Sequence, residues 1–217
     1  MRTFASLDPQ ELAPRKIYEV LVGCIQPRPI AFVSTVSRDG KPNLAPFSFF
    51  VAGGASPASL VYSASLNARG EPKDSLRNVE ETREFVVNIV TRAMAEGMNA
   101  TSPEFGPEFD EWSVSGFRPL ASDCVRPARV AESPAQFECR LFQVLRHGDG
   151  PSAAAYVVGE VVRIHVAHEA WDGQSLLLDQ VRPIARLGGS EYLDTASGEI
   201  FTMPRPSASA ERRSVED

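Results

Sequence analysis

Residues 30–50 read IAFVSTVSRDGKPNLAPFSFF, and this stretch decides the fold. The run 30–36 (IAFVSTV) is β-branched, aromatic or small, which is the composition of a strand. Ser37, Arg38, Asp39 and Gly40 follow it, and an Asp-Gly pair between two apolar runs signals a hairpin turn. Residues 43–51 (NLAPFSFFV) are the expected partner strand. Pro46 removes a ladder donor from that strand, so it belongs at a sheet edge or carries a bulge. Upstream, Pro27-Arg28-Pro29 forces an extended or turned entry, because each proline fixes φ and turns its predecessor away from helix.

Working outward, a Gly-Gly-Ala-Ser-Pro linker (53–57) leads to a third strand at 60–65 (LVYSAS). A loop, LNARGEPKD, precedes a helix expected from Ser75 to about Glu84, with Asp74 or Ser75 as its N-cap. Residues 85–90 (FVVNIV) form a fourth strand. The segment 91–100 suits a short helix, and 101–110 (TSPEFGPEFD) is a proline-rich acidic loop. Residues 114–125 are irregular, with a turn at Ser115-Gly116. In 135–146 (AQFECRLFQVLR), Phe137, Cys139 and Leu141 share one face while Glu138 and Arg140 share the other, the pattern of a half-buried antiparallel strand. A sixth strand is expected at 154–166, with Gly159 marking a bulge or sharp bend. A last extended stretch lies within 179–192, with a turn at Gly188-Gly189. Strands joined by hairpin-length turns, with one or two short helices, predict a closed or nearly closed antiparallel barrel. No βαβ run opens with GxGxxG, which argues against a Rossmann domain. The Pro-, Ser- and Ala-rich residues 204–217 are expected to be a disordered tail, leaving a domain over 10–203.

The chain has 217 residues, of which 43% are hydrophobic and 23% charged, as expected of one globular domain. A net charge of −6 disfavours nucleic acid as a partner. No apolar run approaches the roughly 20 residues of a bilayer span, and no signal-peptide core opens the chain. Cys24, Cys124 and Cys139 form no CxxC pair, and His147, His165 and His168 form no HExxH motif, so neither a disulfide framework nor a metal site is expected. The cytoplasm is the expected location.

Two segments could hold a ligand. In 43–50, small residues stand among aromatics, so backbone amides can approach a flat heteroaromatic ring while Asn43 and Ser48 offer side-chain partners. A bulged core strand accounts for the same spacing. In 63–75 (SASLNARGEPKDS), Ser63 and Ser65 share a face, and Arg69 and Lys73 lie where a loop enters a helix N-terminus. Hydroxyls, two cations and free amides suit a phosphate; a solvated charged loop before a capped helix reads the same residues. Arg28 could reach a phosphate or a ring edge, although an exposed arginine at a rigid entry is the simpler reading. Glu160 and His165 are expected to be exposed, and no His lies near Cys24 or Cys139 in sequence, so nucleophilic catalysis has no support there.

Taken in order, RPIAFVSTVSRDGKPNLAPFSFF, LVYSAS, RGEPKDSLRNVEETREFVVNIV, MNATSPEF, ESPAQFECRLFQV, VVGEVVRIHV and RPIARLGG resemble the flavin reductase-like, FMN-binding split-barrel proteins, flavoredoxin-type members in particular. The resemblance runs over about residues 18–192. It implies a mainly β (α+β) fold, a six-stranded antiparallel Greek-key split β-barrel with flanking short helices, forming a homodimer with FMN near the interface. It also implies NAD(P)H-dependent flavin reduction or electron transfer through FMN, in some members for a partner monooxygenase. By similarity Ser34, Thr35, Asn43, Leu44, Ala45, Pro46, Phe47 and Ser48 would line the isoalloxazine and ribityl chain, while Ser63, Ala64 and Ser65 would approach the ribityl chain or phosphate. Arg69, Lys73, Asp74 and Ser75 match the family's loop-to-helix segment and would clamp the phosphate. No protein acid, base or nucleophile is required, since the flavin accepts the hydride. A non-enzymatic FMN electron carrier, or a split barrel holding another ligand such as haem, remain alternatives on the same barrel.

Overall fold

The computed structural model describes residues 2–208. In chain order the elements are α1 (Pro14–Cys24), β1 (Arg28–Pro29), β2 (Ala31–Val36), β3 (Pro42–Phe47), β4 (Phe50–Ala55), β5 (Ala58–Ser63), α2 (Asp74–Thr82), β6 (Glu84–Asn88), α3 (Ala95–Ala100), α4 (Trp112–Ser115), β7 (Pro119–Leu120), β8 (Arg129–Val130), β9 (Ala135–His147), β10 (Ala154–Val166), α5 (Leu178–Val181), β11 (Ile184–Arg186), β12 (Glu191–Asp194) and β13 (Ile200–Thr202). Among the described residues, no helix is long and apolar enough to cross a membrane.

Seven strands form the main antiparallel sheet, in the order β3-β2-β6-β9-β10-β5-β4. Strands β3 and β4 stand at opposite ends of that order, yet only Ser48 and Phe49 join them. The three Cα–Cα steps from Phe47 to Phe50 reach at most about 11 Å. A flat sheet of this width would hold its edges about 29 Å apart at ~4.8 Å per strand. The sheet therefore rolls until its edges approach, leaving a seam between them: a split barrel. A four-stranded sheet (β1-β11-β12-β13) and a two-stranded one (β7-β8) pack outside it.

Period-2 alternation fills the interior. Ala31 and Val33 of β2, Leu60 and Tyr62 of β5, Phe85 and Val87 of β6, Cys139 and Leu141 of β9, and Ala155 and Val157 of β10 all point inward. Leu76 and Val79 of α2 join them, so this helix closes one end of the barrel. Each Val, Leu or Phe among them, once fully buried, contributes about 1.5–3 kcal/mol. The outward side chains Phe32 and Leu44 enter a second core with Met94, Met98, Trp112, Ile184 and Tyr192. The β2–β3 hairpin is thus covered on both faces, which explains why residues 31–35 are all buried.

The hairpin forms as its sequence requires: Val36 pairs with Pro42, and Gly40 takes φ +88° in the turn. The register also shifts at Gly159, as its glycine implied. Three expectations are corrected. The segment 43–51 is two strands broken at Ser48–Phe49, since the chain there crosses the seam. The 53–57 linker is mostly strand, because β4 runs to Ala55 and pairs with β5. Helix α2 is capped one residue early, at Lys73, whose backbone is extended (φ −68°, ψ 158°).

Candidate functional site

A cavity of about 460 Å³ opens between β3, the 67–73 loop, the start of α2 and the 101–111 segment. That volume lies in the range of small-molecule sites, about 300–1,000 Å³. A smaller hollow of about 160 Å³, lined by Tyr18, Ser48 and Arg186, shares Pro46, Ser102 and Arg205 with it. Together they form a groove along the free edge of β3.

Each wall has a local cause. Asn67 folds the loop onto itself: its Oδ1 accepts the amides of Arg69 (2.8 Å) and Glu71 (2.9 Å), an Asx-type turn. The chain then enters α2 with no side-chain cap. The first-turn amides have no intrahelical partner, and the positive end of the helix faces the cavity. Ser75 Oγ accepts from Asn43 Nδ2 (3.0 Å) and Thr35 Oγ1 accepts from Asn78 Nδ2 (3.1 Å), so two buried bonds fix α2 on the β2–β3 hairpin.

The cations at this end are ion-paired. Arg69 meets Glu71 at 2.8 Å, Lys73 meets Glu104 at 3.2 Å, and Arg77 meets Asp74. Asn67 and then Arg69 hold the Glu71 carboxyl below its ordinary range. Exposed pairs of this kind contribute about 0–1 kcal/mol, so an incoming phosphate can replace the carboxylate partners. Glu111 differs. Burial pushes its carboxyl up to about 7, against the lowering effect of its own amide and that of Leu44, while Asp110 adds to the rise.

Of the residues marked in the sequence, Asn43, Ala45, Pro46, Phe47, Arg69, Lys73, Asp74 and Ser75 line the main cavity, and Ser48 lines the smaller hollow. The others lie off its wall. Leu44 points into the outer core. Ser34 Oγ is spent on the Ala128 carbonyl, and Thr35 on Asn78. Ser63 and Ala64 are buried, with their amides bonded to Phe49 and Ala155, and Ser65 follows them off the wall. Arg28 is 4% exposed, not the exposed arginine expected at a rigid entry. Its guanidinium donates to the carbonyls of Val22, Ile25 and Leu187, each at 2.8 Å, tying α1 to the end of β11. Among the wall residues not named as ligand contacts from the sequence are Asn67, Ser102, Glu111 and Arg205. Only Asn67 carries a local signal, an Asn two residues before the loop arginine. Arg205 falls within the expected tail, of which residues 209–217 lie outside the described residues.

Glu138 and His165 are also corrected. Glu138 does not face solvent: it is fully buried and accepts from the amides of Asp123 (2.8 Å) and Cys124 (2.6 Å), and His165 Nε2 lies 2.6 Å from it. Burial pushes this carboxyl up, but the Asp123 amide, His165 and the Cys124 amide together bring it below its ordinary range. Asp123, Glu138 and His165 place ligand atoms within 4.8 Å of one another. Arg129 stands 3.9 Å from Glu138 and Arg163 3.9 Å from Asp123, so positive charge already occupies the surroundings. The group ties the 121–128 loop to β9 and β10.

The chemistry of the main cavity fits a flavin nucleotide. An uncapped helix start with a hydroxyl and cations suits a phosphate, the edge strand offers a wall of small and aromatic residues, and two buried polar atoms on the wall, Ser102 Oγ and Glu111 Oε2, lack a hydrogen-bond partner among the described residues. Comparison with known proteins agrees. The model of a family described as "Flavin reductase like domain" matches residues 23–185. An uncharacterized protein (BH2278) of Halalkalibacterium halodurans is 36% identical over 208 residues, 95% of this chain and 99% of that one. Nitrilotriacetate monooxygenase component B from Bacillus cereus superposes with a TM-score of 0.83 at 30% identity, over 95% of this chain and 98% of that one. The 2-nitrobenzoate 2-nitroreductase of Pseudomonas fluorescens gives a TM-score of 0.80 at 29% identity, over 94% of this chain and all of that one.

Proposed function

The chain belongs to the flavin reductase like domain family, and from that premise we propose that it is an FMN-dependent oxidoreductase, taking hydride from NAD(P)H and passing electrons to an acceptor or a partner oxygenase. One observation carries the reading: the uncapped start of α2, with Arg69, Lys73 and Ser75, shares a cavity with the edge strand of the barrel. A bound flavin supplies a hydride acceptor at N5. This chain's own residues bind and orient. Lys73 and Arg69 exchange their carboxylate partners for the phosphate, Ser75 Oγ adds a hydroxyl, and Ala45 and Phe47 shape the ring wall. The Bacillus neighbour, a monooxygenase component B by name, favours delivery of electrons to an oxygenase.

The reading includes a homodimer in the cytoplasm. Val51, Val61 and Val158 sit in one cross-strand row on the outer face of β4, β5 and β10, with Leu145 and Tyr156 in the next row. Val51 and Leu145 are more than half exposed, and an apolar sheet face of this kind fits a second copy.

The test is an absorption spectrum of the protein with FMN, followed anaerobically with NADH and with NADPH. A flavin spectrum that either nucleotide bleaches is expected; a protein that stays colourless with FMN overturns the proposal. The Arg69→Ala/Lys73→Ala double variant should lose FMN affinity by roughly tenfold or more, the scale of lost charge-assisted hydrogen bonds.

A further inference from the structure

Among the described residues, four buried side-chain polar atoms have no hydrogen-bond partner, and two of them, Ser102 Oγ and Glu111 Oε2, belong to walls of the cavity. A buried orphan in a native structure calls for an explanation, and a missing ligand is one. Glu111 is 6% exposed and sits just before α4. It docks against β3, where the amide of Leu44 interacts with its carboxyl, which places Glu111 on the edge-strand side of the cavity. The charged groups that share the cavity are Arg69, Glu71, Lys73, Asp74 and Arg77 on the loop and α2, Glu104 on the 101–107 segment, and Arg205 after β13. Asp110 is its chain neighbour. Arg69, Lys73 and Arg77 pair with Glu71, Glu104 and Asp74, Arg205 takes part in none of the ion pairs of the described residues, and none of those pairs includes Glu111.

An unpaired buried carboxylate is costly, and one sharing a cavity with a phosphate is costlier still. A neutral carboxyl has neither problem, and its hydroxyl is a donor. We propose, resting on the flavin reading above, that Glu111 is a ligand-contacting residue: its protonated carboxyl donates a hydrogen bond from the orphaned oxygen to an uncharged acceptor on the flavin ring or ribityl chain. Its burial, which pushes the carboxyl up to about 7, agrees with this. Flavin binding then draws on the protonated fraction, and affinity falls as pH rises past that value.

The experiment is a binding titration of the full-length apoprotein from pH 6 to 8.5, read by flavin fluorescence. Riboflavin is the probe, because it has no phosphate to titrate in this range, and FMN runs beside it. The riboflavin Kd of the wild type should rise about tenfold per pH unit above 7, as the competent fraction shrinks. Glu111→Gln keeps a donor without a charge and should bind with a flat profile; Glu111→Ala should be flat and weaker. A flat wild-type profile overturns the inference, and so does a Glu111→Gln profile as steep as the wild type. The wild-type profile decides alone should the variants fail to fold. Absence of binding by both flavins at every pH overturns the function proposed above, an outcome distinct from a flavin that binds without regard to pH.

Discussion

Glu111 also leaves a mark on stability. Its carboxyl rises from an ordinary 4.5 to about 7 on folding, so between those values the folded chain holds a proton that the unfolded chain has released. Stability from this residue therefore falls as pH climbs through that window and levels off above it, by up to about 3 kcal/mol. In denaturant titrations of the apoprotein, Glu111→Gln should gain on the wild type from pH 5 to pH 8; a difference that stays constant with pH would count against the shift. None of this was legible beforehand. Residues 101–110 read correctly as an acidic loop, but the meaning of Glu111 comes from docking against the Leu44 amide, more than sixty residues earlier in the chain. Lys73 and Ser75 were legible because their signal is local, a cation and a hydroxyl at a helix start. Arg28 misled because its guanidinium is buried between the carbonyls at the end of α1 and that of Leu187, which is remote in the chain.

At the level of elements, Gly159 shows how closely the strands meet. A Cβ there would lie 2.3 Å from Cζ and 2.9 Å from Cε1 of Phe85, and 3.3 Å from Cβ of Cys139. Phe85 is fully buried and packs edge-on against Tyr62, so it has no room to retreat. Gly159→Ala should cost about 1–3 kcal/mol through overpacking, which at roughly 2–4 °C per kcal/mol lowers Tm by several degrees. A melting curve unchanged from the wild type would show that Phe85 can move. This strand announced its bulge through its glycine, and the 37–40 turn announced itself through Asp-Gly. Strand β4 did not: its FVAGGA sequence has two glycines and an exposed outer face, so no alternation marks it. Strand β2 hid its inward face for another reason, since burial on both sides removes the polar positions that alternation needs.

For the whole molecule, the apolar rows on β4, β5, β10 and β9 lead to a test of assembly. Val51→Lys with Leu145→Lys should convert a dimer to a monomer in light scattering, with an unchanged far-UV circular dichroism spectrum, and should abolish any dependence of Tm on protein concentration. A wild type that is already monomeric would remove the dimer from the proposed function. The barrel itself was legible from the succession of short strands and tight turns, whereas the four-stranded outer sheet was not, because β11, β12 and β13 are only three or four residues each. The order of the main sheet has a further consequence for synthesis. Strands β5 and β6 never pair: the β9–β10 hairpin, made some fifty residues later, is inserted between them. A nascent chain that has reached residue 130 thus displays two half-sheets with bare inner edges and a half-open interior. Those edges invite pairing with other chains. The barrel closes only when residues 135–166 leave the ribosome, and until then the N-terminal half depends on chaperones or on speed to stay apart from its neighbours.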